Sequence, residues 1–253
     1  MKIQYCSDLH LEISENTLFL ARNKIVPVGD VLILAGDITY LDEQRFQNPF
    51  FDELSDQFER VFMIPGNHEF YGGKDVSILD MPLEKRIREN VYLYNNQCLE
   101  YGGVVFVFST LWSMIQLKFG KFISENMADF KYIHADGQPL TIEYYNLLHQ
   151  RAFQFLERAV AQNAGKKIVV VTHHLPSPLC NAPEFMNTPM NDAFCVNLNN
   201  FIESNSIDFW IYGHSHRNVL PQMLNGTQLL TNQLGYIEFK EHLTFKRNAY
   251  FEI

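Results

Sequence analysis

Short runs of β-branched and aromatic residues recur along the chain without polar alternation. They are Ile3-Gln4-Tyr5-Cys6, Val31-Leu32-Ile33-Leu34-Ala35, Val61-Phe62-Met63-Ile64, Val104-Val105-Phe106-Val107-Phe108, Ile168-Val169-Val170-Val171 and Phe209-Trp210-Ile211-Tyr212. Runs of this length and composition predict strands buried on both faces. Between them the apolar spacing turns helical. Phe51, Leu54 and Phe58 share one stripe, and Ile142, Tyr145, Leu148, Ala152, Phe155 and Ala159 share a longer one. Thr141 stands where an N-cap belongs, Glu143 falls in the first turn, and Gly165 is placed to end that helix. Strands alternating with helices predict an α/β layered fold.

Two stretches are less regular, near residues 112–140 and 176–195, and both follow the end of a run. They are expected to be loop insertions over the site of a single domain spanning 1–253. The 253 residues are 47% hydrophobic, enough for a substantial core in one domain. Net charge is -9 and no lysine–arginine track is present, so stable nucleic-acid binding is disfavoured; a small phosphorylated substrate is not. Cys6, Cys98, Cys180 and Cys195 lack paired spacing, and Cys6 lies in an apolar run, which suits a reducing compartment. The N-terminus reads straight into a strand, and no apolar stretch approaches the roughly 20 residues needed to span a bilayer. A soluble, cytoplasmic protein without membrane association is the expectation, with the oligomeric state left open.

Five of the six runs end in groups that can ligate metal: Asp8 and His10, Asp37, Asn67 and His68, His173 and His174, His214 and His216. Any one of these is more often a turn former or a buried structural histidine. Their joint placement at strand ends, where α/β folds gather their chemistry, is what points to a site. Alternate residues of an extended segment share a side, which is the expected reason for the Asp8-x-His10 and His214-x-His216 spacings. An oxygen and nitrogen donor set without thiolate suits Mn, Fe or Zn. Two such ions about 3.5–4 Å apart can activate water and clamp a phosphoryl group.

The ordered series Asp8-x-His10, Gly36-Asp37, Gly66-Asn67-His68-Glu69, His173 and Gly213-His214-x-His216 resembles the calcineurin-like metallophosphoesterase family over residues 8–216. The resemblance implies two β-sheets packed face to face with flanking helices, a four-layer sandwich. It also implies two divalent metal ions, one on Asp8, His10 and His216, the other on Asn67, His173 and His214, with Asp37 between them. His68 is implied as a general acid beside the phosphate, with Glu69 either orienting it or serving as a plain structural contact. His174 would lie at the substrate mouth or behind the ligands. The expected reaction is hydrolysis of small phosphodiesters or phosphomonoesters by a hydroxide held between the metals, with His68 protonating the leaving alcohol. Family nucleases resemble basic machines with added domains, and family protein phosphatases carry arginines near the metals; here Arg60 precedes its strand and Arg217 follows the last ligand. Some relatives have lost site residues and act as scaffolds, but His68 and all seven ligand positions are present.

Overall fold

The computed structural model describes residues 1–253. The first part of the chain supplies β1 Lys2–Cys6, β2 Val31–Ala35, β3 Arg60–Ile64, β4 Leu83–Arg86 and β5 Val91–Asn95 to one sheet. A single residue in left-handed conformation, Asn96 with φ 51°, turns the chain into the other sheet. That sheet holds β6 Gln97–Tyr101 and β7 Val104–Ser109. After a small ribbon of β8 His134–Ala135 and β9 Gln138–Pro139, it gains β10 Lys167–Thr172, β11 Phe209–Tyr212, β12 Gln222–Leu224 and β13 Thr227–Thr231. The last strand, β14 Tyr250–Glu252, returns to the edge of the first sheet. Strand orders are β14-β1-β2-β3-β5-β4 and β12-β13-β11-β10-β7-β6. Each sheet has a parallel centre and antiparallel edge strands.

The uninterrupted apolar runs are explained by what covers their two faces. In β2, Val31, Ile33 and Ala35 point into a core between the sheets, against Phe106, Phe108 and Val169. Leu32 and Leu34 point the other way, onto Phe51 and Leu54 of a helix on the outer face. In β10, Val169 and Val171 face inward while Ile168 and Val170 meet the opposite helical layer. Helix, sheet, sheet and helix thus form the four-layer sandwich. Large residues such as Phe106 and Phe108 are fully buried at its centre, where truncation to alanine costs about 3–5 kcal/mol.

The helices are α1 Ser14–Arg22, α2 Pro49–Gln57, α3 Leu117–Asn126, α4 Asp129–Tyr132, α5 Ile142–Gln162 and α6 Asn199–Glu203. In α2 the Asn48 side chain caps Phe50 N at 3.0 Å, and Phe58 follows the last turn as a buried residue. In α5 the Thr141 hydroxyl accepts from Tyr144 N at 3.2 Å. Its buried stripe runs through Tyr145, Leu148, Ala152, Leu156 and Ala159, with Leu156 rather than Phe155 fully covered. The chain leaves α5 at Gln162, and Gly165, at φ 84°, lies in the turn beyond.

Residues 112–140 are more regular than the sequence suggests. They hold α3, α4 and the ribbon, and their Ile123, Met127 and Ile133 build a separate core with Phe70, Trp112 and Tyr145. Two short helices carry too few turns for a periodic signal, and their stability comes from this packing. No helix is long and apolar enough to cross a membrane.

Candidate metal centre

All the strand-end groups converge on one edge, where the carboxyl ends of β1, β2 and β3 meet those of β10 and β11. Asp8, His10, Asp37 and His216 bring ligand atoms within 4.8 Å of one another, and so do Asp37, His173 and His214. Asp37 belongs to both groups. Asn67 joins the second through its Oδ1, 3.2 Å from His173 Nε2.

The residues reach this edge by an unexpected route. Asp8, His10, Asp37, His214 and His216 have φ of 57°, 49°, 55°, 78° and 52°. The Asp8–His10 and His214–His216 segments are therefore not extended. Their side chains share a side because both members of each pair sit in left-handed turns beyond the strand. Such conformations cost on the order of 1–3 kcal/mol each and persist only where the surroundings hold them. Here they are held: Asp8 accepts from His214 N at 3.0 Å, and Asp37 accepts from His68 N at 2.9 Å. The loops also pass very close. A Cβ on Gly66 would collide with the Asp37 carboxylate and His173 Nε2, so glycine is required there.

The hydrogen bonds fix which nitrogens face the centre. His10 Nδ1 is 2.9 Å from Glu12 Oε1, and His216 Nδ1 is 2.7 Å from Glu241 Oε2. A carboxylate only accepts, so each Nδ1 carries hydrogen and each Nε2 offers a lone pair. Those two Nε2 atoms lie 3.0 Å apart. In the second pair only the His173 tautomer is fixed by a partner, because His214 Nε2 is buried without one. His173 Nδ1 donates to Ala35 O at 2.9 Å, and His173 Nε2 lies 3.2 Å from His214 Nδ1. Facing lone pairs repel unless a cation or a proton lies between them. Imidazole nitrogens facing one another beside carboxylate oxygens are the kind of donors that a divalent cation would take. The donor set thus fits two divalent cations.

Without cations, protons take part of that role. Burial works against charge on His216, but the Asp8 and Glu241 carboxylates overcome it and raise its pKa to about 10. His173 is raised to about 9 against burial by Asp37 and Asp8. Asp37 is held well below the usual carboxylate range despite burial, by His173 and His68. Burial lowers His10 and His214.

His68 sits beside these groups. Its Nδ1 is 3.1 Å from Glu12 Oε1, its Nε2 is 3.1 Å from the Tyr236 hydroxyl, and Tyr71 stacks on its ring at 4.1 Å. Glu69 does not touch it. The buried Glu69 carboxylate instead accepts from the backbone N–H groups of Asp37, Ile38 and Gly66, and so ties two ligand loops together. His174 is fully buried and not at the mouth; its Nε2 is 3.2 Å from Tyr145 OH and its Nδ1 is 3.3 Å from Thr110 O.

A cavity of about 310 Å³ opens over the centre. Asp37, His68, His214 and His216 form its floor, and Met127, Asp129, Phe185, Phe194 and Tyr236 stand on its walls. No lysine or arginine lines it. Asp129 accepts from Asn67 Nδ2 at 2.9 Å and from the Tyr71 hydroxyl, which aims the Asn67 oxygen at His173. Arg217 is outside the lining, paired with Glu184 and Glu241 and lying over the Phe185 ring, and β3 begins at Arg60 rather than after it.

Glu12, Asp129, Tyr236 and Glu241 were not singled out from the sequence. Glu12 alone left a trace, since Asp8-Leu9-His10-Leu11-Glu12 alternates polar and apolar residues. The others come from segments with no metal-ligand spacing.

Among solved structures the chain is similar to a phosphopantetheinyl hydrolase of Mycobacterium tuberculosis, with a TM-score of 0.72 at 18% identity, covering 99% of this chain and 95% of that one. It is also similar to a dimetal phosphatase of Danio rerio, with a TM-score of 0.52 at 14% identity, covering 99% and 91%. At these identities the likeness is one of fold. An uncharacterized protein of Acanthamoeba polyphaga mimivirus is 29% identical over 278 residues, covering 99% of this chain and 96% of its own. The sequence model of the calcineurin-like phosphoesterases matches residues 1–218, and with the clustered acids and histidines it establishes that this chain belongs to that family and is a metal-dependent phosphoesterase.

Proposed function

We infer that the protein hydrolyses small phosphodiesters with two divalent ions, of which Mn, Fe and Zn suit the donors. Asp8, His10 and His216 would hold one ion, Asn67, His173 and His214 the other, and Asp37 both. When bound, the pair supplies an activated water and neutralises charge on the phosphoryl oxygens. His68 is the general acid. Glu12 fixes its Nδ1–H, which leaves Nε2, on the cavity side, to protonate the departing oxygen.

The preference for a diester rests on one observation: no lysine or arginine lines the cavity. A phosphodiester carries one negative charge, whereas a phosphomonoester carries ≈ 1.5 to 2 at pH 7. The cavity also presents the carboxylates of Asp37, Asp129 and Glu241, which oppose the extra charge. Apolar walls at Met127, Phe185 and Phe194 suit an apolar group on the ester. The acidic whole-chain charge disfavours nucleic acid as that ester. The names of the similar folds, a hydrolase and a dimetal phosphatase, support the reaction class.

The test is turnover of bis(p-nitrophenyl) phosphate against p-nitrophenyl phosphate after metal stripping and reloading with Mn²⁺. Faster, metal-dependent release from the diester is expected. Release mainly from the monoester would overturn the diester reading, and no release from either with both ions bound would leave a narrower ester or a scaffold.

A further inference from the structure

The segment that closes over the histidines comes from residues beyond the family match, at 232–241. It is fastened to the Asp8 turn: Leu234 N donates to Ser7 O and Gly235 N to Asp8 O, each at 3.1 Å. Gly235, at φ 68°, passes so close to Glu241 and His216 that a Cβ would lie 2.7 Å from one and 3.0 Å from the other. Tyr236 N then donates to Glu241 Oε2 at 2.8 Å, the oxygen that also holds His216 Nδ1. The Tyr236 ring packs against His10 and His216 with centroids at 4.8 and 4.5 Å. Every one of these contacts fixes the tyrosine relative to the metal centre, and all leave its hydroxyl free to face the cavity.

That hydroxyl ends 3.1 Å from His68 Nε2, the nitrogen left over once Glu12 has taken Nδ1. It therefore stands within one hydrogen bond of the place where an oxygen accepting a proton from His68 must sit. A residue needed only to wedge the segment in place would be served by phenylalanine, since the ring makes the packing contacts.

We propose that Tyr236 is a second catalytic donor at the leaving-group oxygen, acting beside His68. In the step, the attacking oxygen bonds to phosphorus and the phosphorus–oxygen bond to the leaving group breaks. The departing oxygen takes the proton from His68 Nε2. Tyr236 gives it a hydrogen bond and keeps its own proton. This rests on the phosphodiesterase reading above.

The experiment uses the manganese-loaded protein and aryl methyl phosphates whose leaving groups run from p-nitrophenol to phenol. Basic leaving groups need the donors most; phenol has a pKa of about 10, like the tyrosine side chain itself. Tyr236→Phe is expected to lose about 10²-fold on the phenyl ester and much less on the p-nitrophenyl ester, with its manganese content unchanged. In a His68→Ala background it should still lose about 10-fold on the phenyl ester, the worth of one hydrogen bond. Equal losses across the series, or no further loss in the His68→Ala background, would overturn the assignment and leave Tyr236 as a positioning residue. Failure of the wild type to cleave any of the esters would instead remove the phosphodiesterase reading, and this step with it.

Discussion

The two halves of the metal centre are built from the same residue types but are backed differently. In the first, His10 and His216 each donate to a carboxylate, Glu12 and Glu241. In the second, His173 donates to the backbone carbonyl of Ala35, and His214 Nε2 is buried without a partner. In the proposed assignment the neutral Asn67 stands where the first half has an aspartate, and only its amide nitrogen meets a carboxylate, Asp129. Carboxylates behind imidazoles make them stronger donors. The first half is therefore expected to hold its ion more tightly, and the second to exchange.

The comparison collapses if the shared residue is removed. Asp37→Ala should lose both ions and nearly all turnover, and metal analysis that still found about two ions per chain would refute the shared role. His68→Ala leaves both halves intact. It should keep its metal and lower kcat by about 10²–10⁴-fold, most on esters with basic leaving groups. Glu241→Gln acts on one half alone. It should weaken one ion by about 10–100-fold, read in a chelator competition, and so erase the difference in affinity. Glu12→Gln touches the same half but also His68, so it should weaken that ion and lower kcat together.

The smallest effect expected is on stability without metal. His216 and His173, raised to about 10 and about 9, bind protons more strongly folded than at the ordinary 6.5 of an unfolded chain. Their contribution is thus complete below pH about 6.5 and is lost as pH rises through those values. The Tm of the stripped protein should fall across that window. Saturating Mn²⁺ should flatten the fall, because coordination replaces the protons.

The central strands and the residues at their ends were legible because buried parallel strands leave long apolar runs, and five of the six runs here stop at candidate ligands. Asp8, His10, Asp37, Asn67, His68, His173, His214 and His216 all converge for that reason. The backbone that delivers them was not legible, since Asp and His tolerate left-handed turns without announcing them. Neither were Glu241, Asp129 and Tyr236. Each is a single polar residue in a short turn or helix, and only the folded chain sets it behind or above a ligand. The helices within residues 112–140 were not legible for a related reason, as they pack on Phe70 and Tyr145 from outside that stretch.

The one-residue turn at Asn96 divides the chain into two parcels of ligands. Asp8, His10, Asp37 and Asn67 lie before it; His173, His214 and His216 lie after it. In the proposed assignment neither ion would have its full set of donors on one side. The centre is in effect a coincidence detector, which reads out only when both sheets have formed and docked in register. A chain cut at Asn96 would thus supply two silent fragments whose reunion is reported by metal uptake and, through it, by turnover.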